Sequence, residues 1–191
     1  MPRFILASAS PRRLALLRQI GIEPDAIEPS DVDESPRPGE LPRLCAARLA
    51  AEKALIAAAR HGGAVVLGAD TVVACGRRVL PKAADWAEAR TCLELLSGRG
   101  HTVYGGVCII DAEGRVHDRV VTTKVKFKRL DARQIDDYLA ADEWRGKAGA
   151  YAIQGRAAAF VRSLNGSYSN VVGLPLFETA ALLGGLGIGA V

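Results

Sequence analysis

The sequence predicts an α/β protein built on a mixed sheet. Short runs of apolar and β-branched residues alternate with longer segments whose apolar residues recur at helical spacing. No internal repeat breaks the alternation. Of 191 residues, 49% are hydrophobic, enough for one well-buried domain or two closely joined lobes. Aromatics are only 5%, so the core is expected to be aliphatic.

Phe4 to Ala7 reads as a strand that breaks at Ser8-Ala9-Ser10-Pro11. Ser10 suits an N-cap and Pro11 the first helical position, where its missing N–H costs nothing. Leu14, Leu17 and Ile20 follow at helical spacing up to Gly21. Arg12 and Arg13 fall in the first turn, where the helix dipole favours anions. An anion beside them and a solvated arginine pair stand as equal readings. Glu28 to Pro42, with four prolines and the acids Asp31, Asp33 and Glu34, reads as a mobile loop. A second helix is expected over about Leu44 to Arg60, with Leu44, Ala47, Ala51, Leu55 and Ala58 on one face. Within it Glu52 and Lys53 carry the usual meaning of surface charge.

The stretch Ala64 to Cys75 reads as a buried strand with Asp70 between two apolar runs. Burying an ionised carboxylate is costly unless something pairs with it. Asp70 is therefore either a strand-end residue with a structural partner or a holder of a cation. Gly68 and Ala69 leave little bulk before it, which suits a ligand approaching the backbone.

Gly76-Arg77-Arg78 reads as a turn into Val79-Leu80-Pro81-Lys82. Asp85 and Glu88 form a capping-box-like pair before a helix ending at Ser97-Gly98. Val103 to Ile110 is strand-like, Asp111 to Gly114 a turn, and a long strand follows. That strand alternates Val121, Thr123, Val125 and Phe127 against Lys124, Lys126 and Lys128, a solvent face or protected edge. Asp131 caps a helix with Ile135, Tyr138 and Leu139, and Ala157 to Val161 reads as another strand. Pro175 opens a last helix to about Leu183, and a frayed tail is expected over Gly184 to Val191.

The excess of 25 Lys and Arg over 21 Asp and Glu is small, and an anionic ligand is only one reading of it. Cys45, Cys75, Cys92 and Cys108 are scattered, as are His61, His101 and His117, so neither zinc spacing nor a disulfide framework is visible. Pro2-Arg3-Phe4-Ile5-Leu6 does not read as a signal peptide, and no apolar run reaches the ~18–20 residues of a membrane span. A cytoplasmic location without membrane contact is the expectation. No Gly-x-x-x-x-Gly-Lys phosphate loop occurs. Gly185-Leu-Gly187-Ile-Gly189-Ala190 is close to a dinucleotide fingerprint, but only Val191 follows it and no helix can complete it. Aspartyl-phosphate chemistry would want a second acid at position 72, which is Val72, and no nucleophile–His–Asp triad stands out.

Ser8-Ala9-Ser10-Pro11-Arg12-Arg13, Ala51-Glu52-Lys53-Ala54, Gly68-Ala69-Asp70-Thr71, Ser97-Gly98-Arg99-Gly100-His101, Lys147 to Gly155 and Gly173-Leu174-Pro175 occur in an order shared with one family. From Ile5 to Thr179 the chain resembles the Maf-type nucleoside triphosphate pyrophosphatases, also described as septum-formation proteins. The resemblance implies an inosine-triphosphatase-like fold over 1–191: a long bent mixed sheet flanked by helices, with two lobes and a central cleft. It implies hydrolysis of a nucleoside triphosphate to the monophosphate and pyrophosphate, a divalent cation (Mg²⁺ or Mn²⁺), and a homodimer. It assigns phosphate handling to Ser8, Ser10, Arg12 and Arg13, proton acceptance to Asp70, metal binding to Asp70 with Glu34, and catalytic charge to Lys53 and Lys82. Lys147 joins the substrate-binding set in the same way.

Within the family, the dTTP- and UTP-directed members resemble this chain at Arg12, Thr71 and Gln154. A glutamine amide can pair with the N3–H and carbonyl edge of uracil or thymine, and flipped it also suits cytosine. The thymine methyl is worth only ~1–3 kcal/mol, so a pocket for one of dTTP and UTP accepts both; 5-methyl-UTP and pseudo-UTP are implied as further substrates. Gly105, Ala83, Gly146, Ala152 and Ala158 depart from the family pattern, and Ala152 adds a methyl beside the implied base pocket. The competing readings are a pyrophosphatase directed at purines or 7-methyl-GTP, and a non-catalytic nucleotide- or nucleic-acid-binding regulator of cell division. The lysine face lacks interleaved aromatics, which makes nucleic acid an unlikely partner.

Overall fold

The computed structural model describes residues 2–189. In chain order the elements are β1 (Phe4–Ala7), α1 (Pro11–Gln19), β2 (Ala26–Ile27), α2 (Pro42–Ala58), β3 (Val65–Cys75), β4 (Arg78–Leu80) and α3 (Trp86–Leu96). There follow β5 (Gly100–Ile110), β6 (Val116–Phe127), α4 (Ala132–Ala140), a 3₁₀ turn (Arg156–Phe160), β7 (Val161–Asn165), α5 (Tyr168–Val172) and α6 (Leu176–Gly184). One seven-stranded sheet runs β2-β1-β3-β5-β6-β7, with β4 added to β3. The β1 pairs are parallel and the others antiparallel, so the sheet is mixed as expected.

Helix α2 buries Cys45, Ala46, Leu49, Ala50, Lys53, Ala54 and Ala57. Its expected apolar face is wrong: Leu44 and Leu55 are 53% and 54% exposed. The reason is backbone proximity. A Cβ on Gly68 would lie 2.3 Å from the Ala50 carbonyl oxygen, and one on Gly106 only 2.1 Å from that of Ala46. Two glycines on neighbouring strands form a floor on which the helix backbone rests at Ala46 and Ala50, so only small residues fit at those two positions. Gly68 therefore clears room for a helix and not for a ligand.

The sheet carries core on both faces. Phe4, Leu6, Leu17, Leu67, Ile109 and Leu183 pack with α1 and α6 at one end. Leu93, Leu96, Phe127, Tyr138 and Trp144 pack with α3 and α4 at the other. On β6 the expected alternation holds: Thr123, Val125 and Phe127 are buried while Lys124 and Lys126 are exposed. Asp131 accepts the Gln134 N–H in a full capping box, whereas at Asp85 only half a box forms, because Glu88 takes the Ala84 N–H instead.

Other local expectations fail for specific reasons. Ser10 makes no side-chain cap; its own N–H donates to Ser8 Oγ at 3.2 Å. Arg156–Phe160 is 3₁₀ and the strand begins only at Val161, since alanine runs lack strand preference. Residues 28–41 do form the expected loop, which is tied to α2 by Arg48–Glu40 (2.7 Å), Arg37–Glu52 (2.9 Å) and Arg48 to the Ser35 carbonyl (3.1 Å). The tail folds back: the Ile188 N–H donates to the Leu183 carbonyl, and its side chain joins the α1–α6 core. The expectation for Ala190 and Val191 lies outside the described residues.

Gly106→Ala is expected to destabilise the fold by about 3 kcal/mol in urea unfolding, because the colliding Ala46 atoms are backbone. Gly62→Ala, with nothing within 4 Å, should stay within about 0.5 kcal/mol of wild type.

Candidate active site

One edge of β3 is divided between two strands. Val65–Gly68 pairs with β1, and Val73–Cys75 pairs with β4. Ala69, Asp70, Thr71 and Val72 face no strand on that edge, although their other edge is fully paired with β5. Open α/β sheets place ligands where strand connections diverge. A cavity of about 420 Å³ opens at this gap. All eleven residues singled out in the sequence line it: Ser8, Ser10, Arg12, Arg13, Glu34, Lys53, Asp70, Thr71, Lys82, Lys147 and Gln154.

Asp70 lies in the middle of β3, not at its end, and is 4% exposed. Its partner is Lys53, whose Nζ donates to Asp70 Oδ1 at 2.6 Å and to Glu34 Oε1 at 2.7 Å. Lys53 is thus buried and paired, not surface charge. Lys82 donates to the other Glu34 oxygen. Two carboxylates and two ammonium groups so form a chain from the sheet to the cavity mouth. Burial opposes ionisation of Glu34, but its bonds to Lys53 and Lys82 prevail and hold its carboxyl down at about 2.

The two arginines of the first α1 turn have different tasks. Arg13 is buried, with Nε on the Gly173 carbonyl (2.9 Å), Nη1 on Ser8 Oγ (2.9 Å) and Nη2 on Thr71 Oγ1 (3.3 Å). It ties β1, β3 and the Gly173 turn together. Arg12 makes no ion pair among the described residues, and its Nε is buried without a partner. Burial and then the Arg13 charge depress its pKa. The same Arg12 charge, after burial, depresses Lys147, against a weaker pull from Glu143. An anion between Arg12 and Lys147 would relieve both.

Successive strand residues point to opposite faces, so Asp70 meets α2 while Thr71 meets Arg13 and Gly173. Lys147 Nζ donates to the Arg145 carbonyl at 2.9 Å, and Gln154 is exposed on the cavity wall. The loop carrying both is held by the Gly149 N–H to the Pro81 carbonyl (3.0 Å). It passes through left-handed backbone at Gly146, Gly149 and Ala150 (φ 65°, 69° and 58°). Gly146 thus departs from the family pattern where glycine is favoured. Gly105, another departure, admits Asn170: a Cβ there would lie 1.8 Å from Asn170 Oδ1.

Sequence reasoning missed three groups. Gly173 supplies the carbonyl that orients Arg13. Tyr151 lines the cavity with its hydroxyl 2.8 Å from His101 Nε2, and both stand in quoted motifs without a role. Ser30 reaches the cavity from the acidic loop and donates to the Lys53 carbonyl at 2.9 Å.

No group of three or more His, Cys, Asp or Glu side chains suited to a metal converges among the described residues. The donor set is Asp70 and Glu34 beside a cationic cavity. It does not form an all-protein cage, but it fits a hard divalent ion that takes most of its shell from water and phosphates. Glu34 would have to exchange a lysine to contribute.

The Maf-like protein family matches residues 3–186. The chain is 64% identical over 183 residues to the dTTP/UTP pyrophosphatase of Rhodospirillum rubrum, covering 96% of this chain and 87% of that one. It is 63% identical to the dTTP/UTP pyrophosphatase of Paramagnetospirillum magneticum (98% of each chain) and 56% to that of Caulobacter vibrioides (97% and 96%). A solved nucleoside-triphosphatase / dITP/XTP pyrophosphatase from Mycobacterium abscessus is similar at TM-score 0.41 and 20% identity, covering 68% of this chain and 76% of that one, a likeness too low to carry an argument.

His101, 3% exposed against Phe127 and Tyr151, has its pKa lowered by burial to about 4 from 6.5. The unfolded chain takes this proton near 6.5 and the folded chain only near 4. Stability is therefore full above pH 6.5 and falls towards pH 4, by about 3 kcal/mol. Urea unfolding of His101→Phe should lack this component; equal pH profiles for variant and wild type would contradict it.

Proposed function

The chain belongs to the Maf-like protein family, and we propose that it hydrolyses dTTP and UTP to the monophosphate and pyrophosphate. One observation carries the reading beyond the relatives' names. Arg12 and Lys147 line one cavity, where the Arg12 charge, after burial, depresses Lys147, and the Asp70–Lys53 pair lines the same cavity. A triphosphate supplies the missing anion, and a buried carboxylate supplies a base.

In this reading water attacks the α-phosphorus. A bond forms from the water oxygen to phosphorus, the bond to the α–β bridging oxygen breaks, and the proton passes to Asp70. The bridging oxygen leaves with the electron pair on pyrophosphate. Arg12, Lys147 and Lys82 offset the charge that accumulates there, and the Ser8 and Ser10 hydroxyls bind phosphate oxygens. Arg13 acts by holding Ser8 and Thr71 in place. Lys53 pairs with Asp70 and holds its carboxylate in place at the cavity. Gln154 reads the pyrimidine edge from the cavity lining, and Ala152, which also lines the cavity, narrows the space for the base.

Asp70 and Glu34 would hold Mg²⁺ or Mn²⁺, whose contribution when bound is Lewis-acid polarisation of the phosphoryl oxygens. A cytoplasmic location suits a nucleotide substrate and the four free cysteines. No helix among the described residues is long and apolar enough to cross a membrane. A single catalytic unit over 1–191 that pairs as a homodimer completes the proposal.

Asp70→Asn should lower turnover by about 10²-fold or more with the fold retained by circular dichroism; near-wild-type rates would overturn the assignment. Pyrophosphate release with Mg²⁺ or Mn²⁺ should be fastest from dTTP and UTP in a panel that adds CTP, GTP and 7-methyl-GTP. Tight binding of one nucleotide with release from none would favour a non-catalytic regulator.

A further inference from the structure

The motif Ser97-Gly98-Arg99 takes no part in the cavity at Asp70. It lines a separate surface depression of about 470 Å³ together with Lys126, Phe127, Lys128, Arg129 and Arg162. Five of these eight lining residues are cationic and none is acidic. The depression lies at the far end of β5: Gly100 pairs with Lys126, whereas Asp70 pairs with Gly106. Six residues of strand separate them, roughly 20 Å.

The cations converge from three segments on a frame of backbone bonds. The Gly98 N–H donates to the Lys128 carbonyl (2.9 Å), the Phe127 N–H to the Arg99 carbonyl (3.1 Å), and the Lys128 N–H to the Phe160 carbonyl (2.8 Å). Ser97 Oγ accepts the Leu130 N–H at 2.8 Å and closes the frame. Gly98 makes the turn with φ 70°. A register shift between Lys126 and Phe127 sets Lys126 against Ser163 and Phe127 against Val161, which leaves Arg162 as the extra residue. Bulges of this kind re-aim a side chain.

Sixteen arginines lie outside this depression. Nine of them, Arg18 and Arg48 among them, form ion pairs with carboxylates. None of Arg99, Lys126, Lys128, Arg129 and Arg162 forms one among the described residues. The adjacent acid, Asp131, is engaged as the cap of α4. These five are a fifth of the 25 Lys and Arg of the chain, gathered in one depression without an acidic residue. Five like charges held together repel one another unless an anion joins them.

We propose that this depression is a second anion site, which takes a short polyphosphate: pyrophosphate, or the triphosphate of a nucleotide. Guanidinium groups bind phosphate through paired N–H donors, and a multiply charged ligand is needed to match several cations at once. The neighbouring ring, Phe127, is 1% exposed, so no platform is offered for stacking a base. Recognition therefore ends at the phosphates.

The test is calorimetric titration of the whole protein with tripolyphosphate, pyrophosphate and a non-hydrolysable dTTP analogue. Two sites are expected for tripolyphosphate. Arg99→Ala/Arg162→Ala should weaken one about tenfold or more, with the melting temperature and the kcat/KM for dTTP unchanged. Arg99→Lys/Arg162→Lys should retain most of the binding, and Arg12→Ala should affect only the other site. At the second site the nucleotide analogue should bind no better than tripolyphosphate; a clear advantage would show that the base is read and would overturn the assignment. A single site indifferent to Arg99→Ala/Arg162→Ala would overturn it as well. So would a marked preference for a single-stranded oligonucleotide at equal phosphate concentration, which would make the surface a nucleic-acid contact.

Discussion

The arrangement of the site depends on how closely α2 lies on the sheet. Gly68 and Gly106 remove every side-chain atom from the interface at the points where the Ala50 and Ala46 carbonyls touch the strands. That closeness brings Lys53 within 2.6 Å of Asp70 in the middle of β3. A helix held further out by ordinary side chains would separate the two charges and leave each buried without a partner, at a cost of several kcal/mol. Backbone packing and electrostatics are thus one constraint.

From this contact the charges grade outwards. The Asp70–Lys53 pair is almost dry, Glu34 is half-exposed, and Lys82 stands at the mouth of the cavity. On the other face of β3, Arg13 joins Ser8, Thr71 and Gly173 through three hydrogen bonds. Arg12 and Lys147 form no ion pair among the described residues, and they line the cavity that opens at the gap between β1 and β4. The buried Asp70 and Lys53 charges stabilise each other, whereas buried Arg13 is satisfied by neutral oxygens.

The order of strands and helices was legible because period-2 and period-3.6 patterns act within a few residues. The alternation on β6 and the Asp131 cap are examples. Where local pattern and packing compete, the reading failed. Leu44 and Leu55 on α2 suggested an apolar face, yet the close contact turns Ala46, Ala50 and Ala54 to the sheet, because no larger side chain fits where these meet Gly68 and Gly106. Position 53 looked like one half of an exposed charged pair, and only its distance from Asp70 reveals it as buried. Gly68 carried a real signal of close approach, but the sequence could not say that a helix was what approached.

By itself, the sequence determined the α/β class and a set of polar residues that converge on one cavity. It did so through motifs whose order resembles the Maf family; residue type and spacing alone left Arg12, Arg13 and Asp70 with open readings and made Lys53 surface charge. The tertiary structure decided what each of those residues does. Arg12 and Arg13 are adjacent and chemically identical, yet one is turned into a buried tie between elements and the other keeps an unpartnered nitrogen. Successive residues on a helix point about 100° apart, and what each then meets is a matter of long-range packing that no local pattern records.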